Sequence, residues 1–216
     1  DYDPGFICNH SDHNGRYAFN QQPYIGLWNL SCLAQALLPL ASKEELKAAL
    51  DSYTPLCERR YMELMQAKVG LSQEQEDDAA LIQDLLGLMQ QSHVDYTNCF
   101  RALSSFQSRS ESWNEPLRDF FLDREVFDQW ACRYANRLRD EGSRDDERGV
   151  RMNRINPKYV LRNYLAQQAI EKAKQKDFSE IDRLLILLQN PYSDQPGMDA
   201  YAAPPPNWGK HLSVSC

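Results

Sequence analysis

The sequence predicts an all-α protein, and three observations lead to this fold class. Apolar residues recur at helical spacing along most of the chain, and several of these stretches start with residues typical of helix N-termini. The alternation of apolar and polar residues that is typical of strands does not occur. We therefore divide the 216 residues into a loop at 1–21, a helical domain at 22–189 and an extended, proline-rich tail at 190–216.

The first helices are predicted directly after the loop. PYIGLWNLSCLAQALLPL has apolar residues at near-helical spacing, and a proline ends the pattern. Ser42 and Glu45 then form a capping box, in which each side chain accepts a hydrogen bond from a backbone N–H that the next helix leaves unpaired. This helix ends before Gly70, and Pro55 must kink or divide it.

The middle of the chain continues the helical pattern. Ser72 and Gln75 repeat the capping box before DDAALIQDLLGLMQQS, and we also predict a helix in HVDYTNCFRALSSFQ. SRSESWNEP is a polar connector, and PLRDFFLDREVFDQWACRYANRLRDE after it has the apolar stripe of one or two helices. The charged runs at 74–78 and 140–148 are interpreted as solvated surface.

The clearest helical pattern is NPKYVLRNYLAQQAIEKAKQ, in which Pro157 is expected in the first turn. Its apolar side consists of Val160, Leu161, Tyr164, Leu165 and Ile170. Ser179 is expected to cap the last helix, SEIDRLLILLQ. From Asn190 onward, five prolines in seventeen residues favour an extended tail that is partly polyproline.

Five large side chains receive individual predictions. Trp28 and Trp130 are predicted to lie in the core. Trp208 is predicted to anchor the proline-rich tail on the helices, and binding at the surface is the alternative. Arg16 and Arg162 are predicted to form salt bridges within the protein, and contact with a nucleotide or an acceptor protein is the alternative.

The composition argues against two classes of partner. With a net charge of −7, the chain has no basic stripe that could neutralise the phosphates of a nucleic acid. No run of about 18 apolar residues is present, so we predict no membrane-spanning segment. Because the chain starts at Asp1, inside a segment with proline and glycine, we expect it to be a piece of a longer protein.

The six cysteines show no Cys-x-x-Cys pair, and their usage fits a reducing compartment. Four of them lie within helical patterns and are expected to behave as small apolar side chains. These four are Cys32, Cys57, Cys99 and Cys132.

The segment FICNHSDHNGRY, residues 6–17, contains a dense cluster of chemically capable side chains. Cys8, His10, Asp12 and His13 can all ligate zinc, but their spacing matches no standard zinc site. A nucleophilic pair of Cys8 and His10 is a second hypothesis, although the sequence identifies neither an oxyanion hole nor a third, orienting group. A polar loop folded by Asx-type turns is the third hypothesis and the one we favour, so we assign no metal ligand.

Motifs for nucleotide binding or nucleophilic catalysis are also missing from the sequence. The chain has no phosphate-binding P-loop, no G-x-G-x-x-G and no G-x-S-x-G motif. A catalytic pair cannot be chosen from its 31 acidic residues. We therefore assign no catalytic residue to this segment.

Three stretches together resemble one family: YDPGFICNHSDHNGRYAFNQQPYIGLWNLSCLAQAL near the start, NPKYVLRNYLAQQAIEKA in the middle and NPYSDQPGMDAYAAPPPNWGKHLSVSC at the end. They are similar to the C-terminal half of the selenoprotein O family, which is called YdiU in bacteria. The resemblance covers essentially the whole chain, and the ending PPxWGKxLxVSC is very specific.

The resemblance implies a protein-kinase-like fold that binds ATP in a flipped orientation, with the α-phosphorus facing the acceptor. AMP would pass from ATP to Ser, Thr or Tyr hydroxyls of protein substrates, and UMP transfer from UTP is attributed to bacterial members. Mg²⁺ or Mn²⁺ would polarise the phosphates. This segment would supply most of the helical C-lobe and the family's own C-terminal helices. The resemblance further implies a cytoplasmic protein in bacteria and a mitochondrial one in eukaryotes.

The same resemblance implies that the catalytic machinery precedes this chain. The family's nucleotide-binding loop, its phosphate-contacting Lys and Arg, and its catalytic and metal-binding residues lie upstream of the matched region. Asp1 and Asp3 in DYDP follow the family's D-Y-G-P metal segment and are not expected to bind metal. The segment alone is therefore expected to be inactive, and a helical module that binds or regulates partners is the competing hypothesis.

The resemblance also implies a redox pair. Selenocysteine-containing members carry selenocysteine third from the C-terminus, and Cys216 matches that position. Cys8, just beyond the metal segment, is the expected partner in a reversible disulfide. Closing so long a loop would stabilise the protein by about 5 kcal/mol in the chain-entropy model, before strain is subtracted. Two free thiols are the alternative.

Overall fold

The structure, a computed structural model, describes residues 1–9, 11–109, 114–210 and 212. These residues form ten α-helices and three short 3-10 helices, and no strand is present among them. The α-helices are α1 (Gln22–Ala36), α2 (Lys43–Asp51), α3 (Tyr53–Lys68), α4 (Asp78–Gln91), α5 (Tyr96–Leu103), α6 (Glu115–Arg118), α7 (Arg124–Asp140), α8 (Asp145–Asn153), α9 (Asn163–Lys174) and α10 (Ser179–Gln189). The predicted all-α fold class is confirmed for this part of the chain.

The described chain divides into two compact units. The smaller unit contains the described residues from 3 to 65, and the larger unit contains residues 1 and 2 and the described residues from 66 onward. Helices α1 and α2 and most of α3 belong to the smaller unit, whereas α4 to α10 belong to the larger one. None of the described helices is both long enough and apolar enough to cross a membrane.

Local sequence signals act as predicted in the smaller unit. The backbone N–H of Ser42 donates to Glu45 Oε2 (3.0 Å) and that of Glu45 donates to Ser42 Oγ (3.3 Å), which completes the capping box of α2. The predicted division of the helix at Pro55 is also confirmed. Because α2 ends at Asp51 and α3 begins at Tyr53, Pro55 lies in the first turn of α3, where a missing N–H costs no helical hydrogen bond.

Burial in α1 differs from the prediction. Trp28, expected in the core, is 51% exposed, and none of the 15 residues of α1, all of them described, is buried. Cys32 on α1 and Cys132 on α7 are also exposed, whereas Cys99 is buried as expected. The apolar pattern predicts the helix correctly, but burial depends on what packs against it.

The core of the larger unit is built around α7, which supplies seven buried residues. Trp130 is buried, as predicted, and its indole N–H donates to the carbonyl oxygen of Leu81 on α4 (2.9 Å). Its ring stacks on that of Tyr134, with the ring centroids 5.0 Å apart. The Tyr134 hydroxyl in turn donates to the carbonyl oxygen of Val69 (2.5 Å). Both aromatic side chains therefore bury their polar atom together with a partner.

Two predicted helix caps are wrong. Helix α4 begins at Asp78 and is not capped by Ser72, whose backbone N–H instead donates to Glu141 Oε2 (3.2 Å). Ser179 is the first residue of α10 rather than its cap, and its backbone N–H donates to Asp177 Oδ1 (3.0 Å). The Ser72 N–H thus donates to Glu141 instead of the Gln75 side chain, and α10 has Phe178 at its N-cap position, with no side-chain cap hydrogen bond.

Helix α9 begins later than the pattern predicts, so Pro157 is not in its first turn. The backbone N–H of Tyr159 donates to the carbonyl oxygen of Pro191 (3.1 Å), and this contact with the tail holds the preceding segment outside the helix. Leu161 consequently lies before α9 and is exposed, whereas Tyr164 is buried on α9 as predicted.

Gly70→Ala is expected to lower the free energy of unfolding by about 2–4 kcal/mol, as measured by urea unfolding. Gly70 has a φ of +80°, and an added Cβ would lie 2.6 Å from Met152 Sδ and 2.7 Å from Arg148 Cγ. Left-handed backbone costs an L-residue about 1–2 kcal/mol, and overpacking adds about 1–3 kcal/mol. Gly142→Ala is the matched control, because its φ is +71° but nothing lies within 4 Å of the added Cβ. Equal losses in the two variants would contradict the packing part of this expectation.

Candidate functional site

The amino-terminal loop is folded by its own side chains, as the favoured hypothesis predicts. Asn9 Oδ1 accepts the backbone N–H groups of Ser11 (3.0 Å) and Asp12 (2.9 Å). The two carboxylate oxygens of Asp12 accept those of Arg16 (2.9 Å) and Tyr17 (2.6 Å). Asp12 is thus used to organise the loop, in the manner of an Asx turn.

Asp12→Ala is expected to disorder this loop. The backbone N–H of Tyr17 lowers the pKa of the Asp12 carboxyl, and that of Arg16 acts in the same direction. Because the pKa is lower in the folded protein, the Asp12 carboxylate stabilises the loop at pH values above its ordinary pKa of about 3.9. This contribution is lost as the pH falls through the lowered folded-state pKa. We expect faster amide hydrogen exchange at Tyr17 in the variant. Asp3→Ala is the control, since Asp3 Oδ1 accepts only the nearby Gly5 N–H (2.8 Å) and should leave Tyr17 unchanged.

The zinc and nucleophile hypotheses rest partly on His10, which lies outside the described residues. Cys8 is an exposed free thiol, and His13 is exposed as well. Within the described residues, no group of three or more His, Cys, Asp or Glu side chains could hold a metal ion. Cys216 also lies outside the described residues, so its disulfide with Cys8 stays a prediction.

The two arginines of the sequence analysis have different environments. Arg16 has its guanidinium carbon 4.4 Å from the ring centroid of Trp28, a cation–π contact, and the predicted salt bridge is not present among the described residues. Arg162 forms the predicted salt bridge, with two hydrogen bonds to the Asp95 carboxylate (2.5 and 3.1 Å). Burial alone would raise the pKa of the Asp95 carboxyl, but Arg162 and the backbone N–H of Asn98 hold it below its usual value. This pair fixes the start of α5 and is structural.

The charged runs are not uniformly solvated, and this interpretation is wrong at three positions. The side chains of Asp78, Glu141 and Arg148 are completely or almost completely buried. Helical spacing contains a signal for one of them: Trp130, Tyr134, Arg137 and Glu141 are spaced by four, three and four residues, so they share one face of α7 and its C-terminus. That face of α7 is buried, and the carboxylate of Glu141 is buried with it.

These buried charges form two clusters in the larger unit. Arg137 bridges Asp78 (2.6 Å) and Glu141 (3.0 Å). Arg148 pairs with Asp145 (2.5 Å) and also donates to the carbonyl oxygen of Phe106. Every charge has a partner of opposite sign, although Glu141 Oε1 and Arg148 Nε have no hydrogen-bond partner.

A cleft of about 570 Å³ lies between α9, α10 and the tail. Its lining combines aromatic, amide and charged side chains: Tyr164, Leu165, Gln167, Gln168, Glu171, Lys172, Glu180, Ala200, Tyr201 and Trp208. Trp208 packs edge-to-face on Tyr164, with the ring centroids 6.2 Å apart, as expected of a side chain that anchors the tail. It is nevertheless 55% exposed, so its ring is also part of the cleft surface.

Lys172 and Glu180 of the cleft are held in their charged forms. Lys172 Nζ and the Tyr201 hydroxyl both donate to the Glu180 carboxylate, each at 2.7 Å. These two contacts lower the pKa of Glu180, and Glu180 in return raises the pKa of Lys172. General acid–base catalysis requires a group whose pKa lies near the working pH. The ion pair shifts the pKa values of Glu180 and Lys172 away from such a value.

Comparisons with a family model and with curated relatives point to the same family. A family model described as Protein adenylyltransferase SelO matches residues 1–189. Curated relatives from Myxococcus xanthus, Thioalkalivibrio sulfidiphilus and Pseudomonas fluorescens, each named Protein nucleotidyltransferase YdiU, are 54%, 53% and 50% identical to this chain. The alignments cover 100% of this chain and 44% of each relative, so the chain spans less than half the length of these proteins.

Proposed function

The chain belongs to the protein adenylyltransferase SelO family, and from this premise we propose that the complete protein transfers AMP from ATP to Ser, Thr or Tyr hydroxyls of other proteins. The observation that supports this proposal is the family match over residues 1–189. The relatives' names support nucleotidyl transfer in general. Transfer of UMP from UTP is therefore the second candidate within the same reaction class.

The 216 residues would act as the C-terminal scaffold of this enzyme, in a kinase-like fold. Two features support a scaffold role: the larger unit has a continuous aromatic core around Trp130, and its buried charges contact charges of opposite sign. Lys172 and Glu180 of the 570 Å³ cleft also neutralise each other as an ion pair. We therefore place the reacting groups in the part of the protein that lies outside this chain.

The described residues do not fit a site for a metal-bound triphosphate. They include no group of three or more His, Cys, Asp or Glu side chains that could hold a metal ion. In the proposed reaction Mg²⁺ or Mn²⁺ would offset the charge on the phosphates of ATP or UTP. The proposal is that the ligands of this metal lie mainly in the part of the protein upstream of this chain.

The test is transfer of label from α-³²P-ATP or α-³²P-UTP to protein substrates with Mg²⁺ or Mn²⁺. We expect labelling by the complete protein and none by the 216-residue chain. γ-³²P-ATP is the control, since label from the γ-position would indicate phosphoryl transfer instead. Failure of the complete protein to label any substrate would favour the competing hypothesis, a helical module without catalytic activity. Labelling by the short chain alone would show that reacting groups lie within it.

We further propose, on the family resemblance, that Cys8 and Cys216 form a reversible disulfide when a disulfide or peroxide oxidant removes two electrons and two protons from the thiols. Cys8 is exposed, which supports its access to oxidant. In the cytoplasm, where we expect bacterial members, such a bond would be regulatory. Thiol counting after oxidation tests the pair. Cys8→Ser and Cys216→Ser should each prevent the bond, whereas Cys132→Ser, at another exposed thiol, should not.

A further inference from the structure

Helix α1 has no charged residue, yet none of its residues is buried. Residues 17–42 form a run of 26 residues without a charged side chain, and α1 occupies most of it. A helix that is apolar all round is normally enclosed by a protein core or a membrane. In this chain none of the 15 described residues of α1 is buried.

Exposed apolar side chains occur on opposite sides of α1. Tyr24, Trp28 and Leu33 are 70%, 51% and 54% exposed. Tyr24 and Trp28 are about one helical turn apart and lie on one side, whereas Leu33 is about two and a half turns from Tyr24 and lies on the other. A partner that docks on one face would cover only half of these side chains. Their distribution requires a neighbour that encloses the helix.

The smaller unit has almost no core of its own. Among its described residues, 3–9 and 11–65, only Ala18 and Met65 are buried. Helix α7 of the larger unit alone contributes seven buried residues. Burial of apolar surface is the main favourable contribution to folding, so a unit of this size needs further polypeptide against its apolar side chains.

We propose that α1 is an internal helix of the complete protein, enclosed by the part of the polypeptide that the relatives have and this chain lacks. Enough polypeptide exists for this, since the chain covers 44% of each relative. A segment of the same polypeptide can fold around both sides of α1, which a second copy docked on one face cannot. With 15 residues, α1 is about 22 Å long and falls short of a bilayer core of about 30 Å, so a protein interior fits it better.

This inference rests on the proposed function, because it assumes that a longer enzyme exists. Photocrosslinking in the complete protein tests it. Benzoylphenylalanine replaces Leu33 in one variant and Lys47, an exposed charged residue of α2 in the same unit, in the control. Mass spectrometry then identifies the crosslinked peptides. We expect benzoylphenylalanine at position 33 to crosslink to a peptide of the same molecule outside these 216 residues. Benzoylphenylalanine at position 47 should not form that crosslink.

Three results at position 33 would overturn the inference: a crosslink to a second, isotope-labelled copy, a crosslink to residues 66–216, or no crosslink to protein. Hydroxyl-radical labelling of the unsubstituted complete protein provides a second test that needs no variant. Trp28 should be protected there while Trp208, of similar exposure in this chain, reacts. Equal labelling of the two tryptophans would also overturn it. Neither measurement requires nucleotide, so a failure of nucleotidyl transfer would leave these results unchanged.

Discussion

Arg137→Ala is expected to lower the free energy of unfolding of the larger unit by about 3–5 kcal/mol, because it leaves two buried carboxylates without their cation. Arg137 Nε donates to Asp78 Oδ1 at 2.6 Å, and Arg137 Nη1 donates to Glu141 Oε2 at 3.0 Å. The three side chains are 8%, 1% and 0% exposed. Water therefore has little access to the carboxylates, and it cannot replace the guanidinium without local unfolding.

Urea unfolding of the 216-residue chain measures this loss, with Arg133→Ala as the matched control. Arg133 lies about one turn earlier on α7, and its guanidinium is also 2.6 Å from a carboxylate, that of Asp84. Both partners are about half exposed, and such surface pairs contribute only about 0.2–1 kcal/mol. A small loss in both variants would contradict the expectation and would show that solvent reaches Asp78 and Glu141 once Arg137 is removed.

The features that the sequence predicts correctly are those decided within a few residues. The capping box of Ser42 and Glu45 and the helix boundary near Pro55 depend on neighbours three or four positions away, so they can be recognised without knowing the fold. The Asx-type folding of the amino-terminal loop by Asn9 and Asp12 is local in the same sense.

Several of the predictions that are wrong depend on contacts between distant residues. Asp78 and Arg137 are 59 positions apart, so nothing in the run EQEDD reveals that its last member is buried. The start of α9 is shifted because the backbone near Tyr159 pairs with Pro191, in a tail that the helical pattern does not include. Propensity and periodicity are weak compared with such tertiary contacts.

The candidate site shows the same limit. Helical spacing placed Tyr164 and Leu165 on one buried face, and Trp208 was expected to anchor the tail on the helices. The cleft that these residues form with Glu180, however, exists only when the tail is folded. Charged runs gave no indication of it. The sequence could identify the family and the absence of nucleotide-binding motifs from this segment, whereas the cleft became visible only in three dimensions.

Trp130→Ala is expected to destabilise the larger unit by about 3–5 kcal/mol in the same unfolding experiment, because it opens a large cavity in the core. The indole is 1% exposed and lies between the rings of Phe127 and Tyr134, at centroid distances of 5.8 and 5.0 Å. Trp130→Phe separates the hydrogen bond from the volume. It retains an aromatic ring but leaves the carbonyl oxygen of Leu81 without its donor, and such a buried, unpaired group costs about 1–3 kcal/mol.

Trp28→Ala is the control that relates this prediction to the surface of α1. In the 216-residue chain Trp28 is half exposed, and its loss removes mainly the cation–π contact with Arg16, which contributes about 0.5–1 kcal/mol at an exposed site. If α1 is enclosed in the complete protein, the same substitution there should be as costly as Trp130→Ala. An equally small effect of Trp28→Ala in the 216-residue chain and in the complete protein would contradict the enclosure of α1. That result would leave the prediction for Trp130→Ala unchanged.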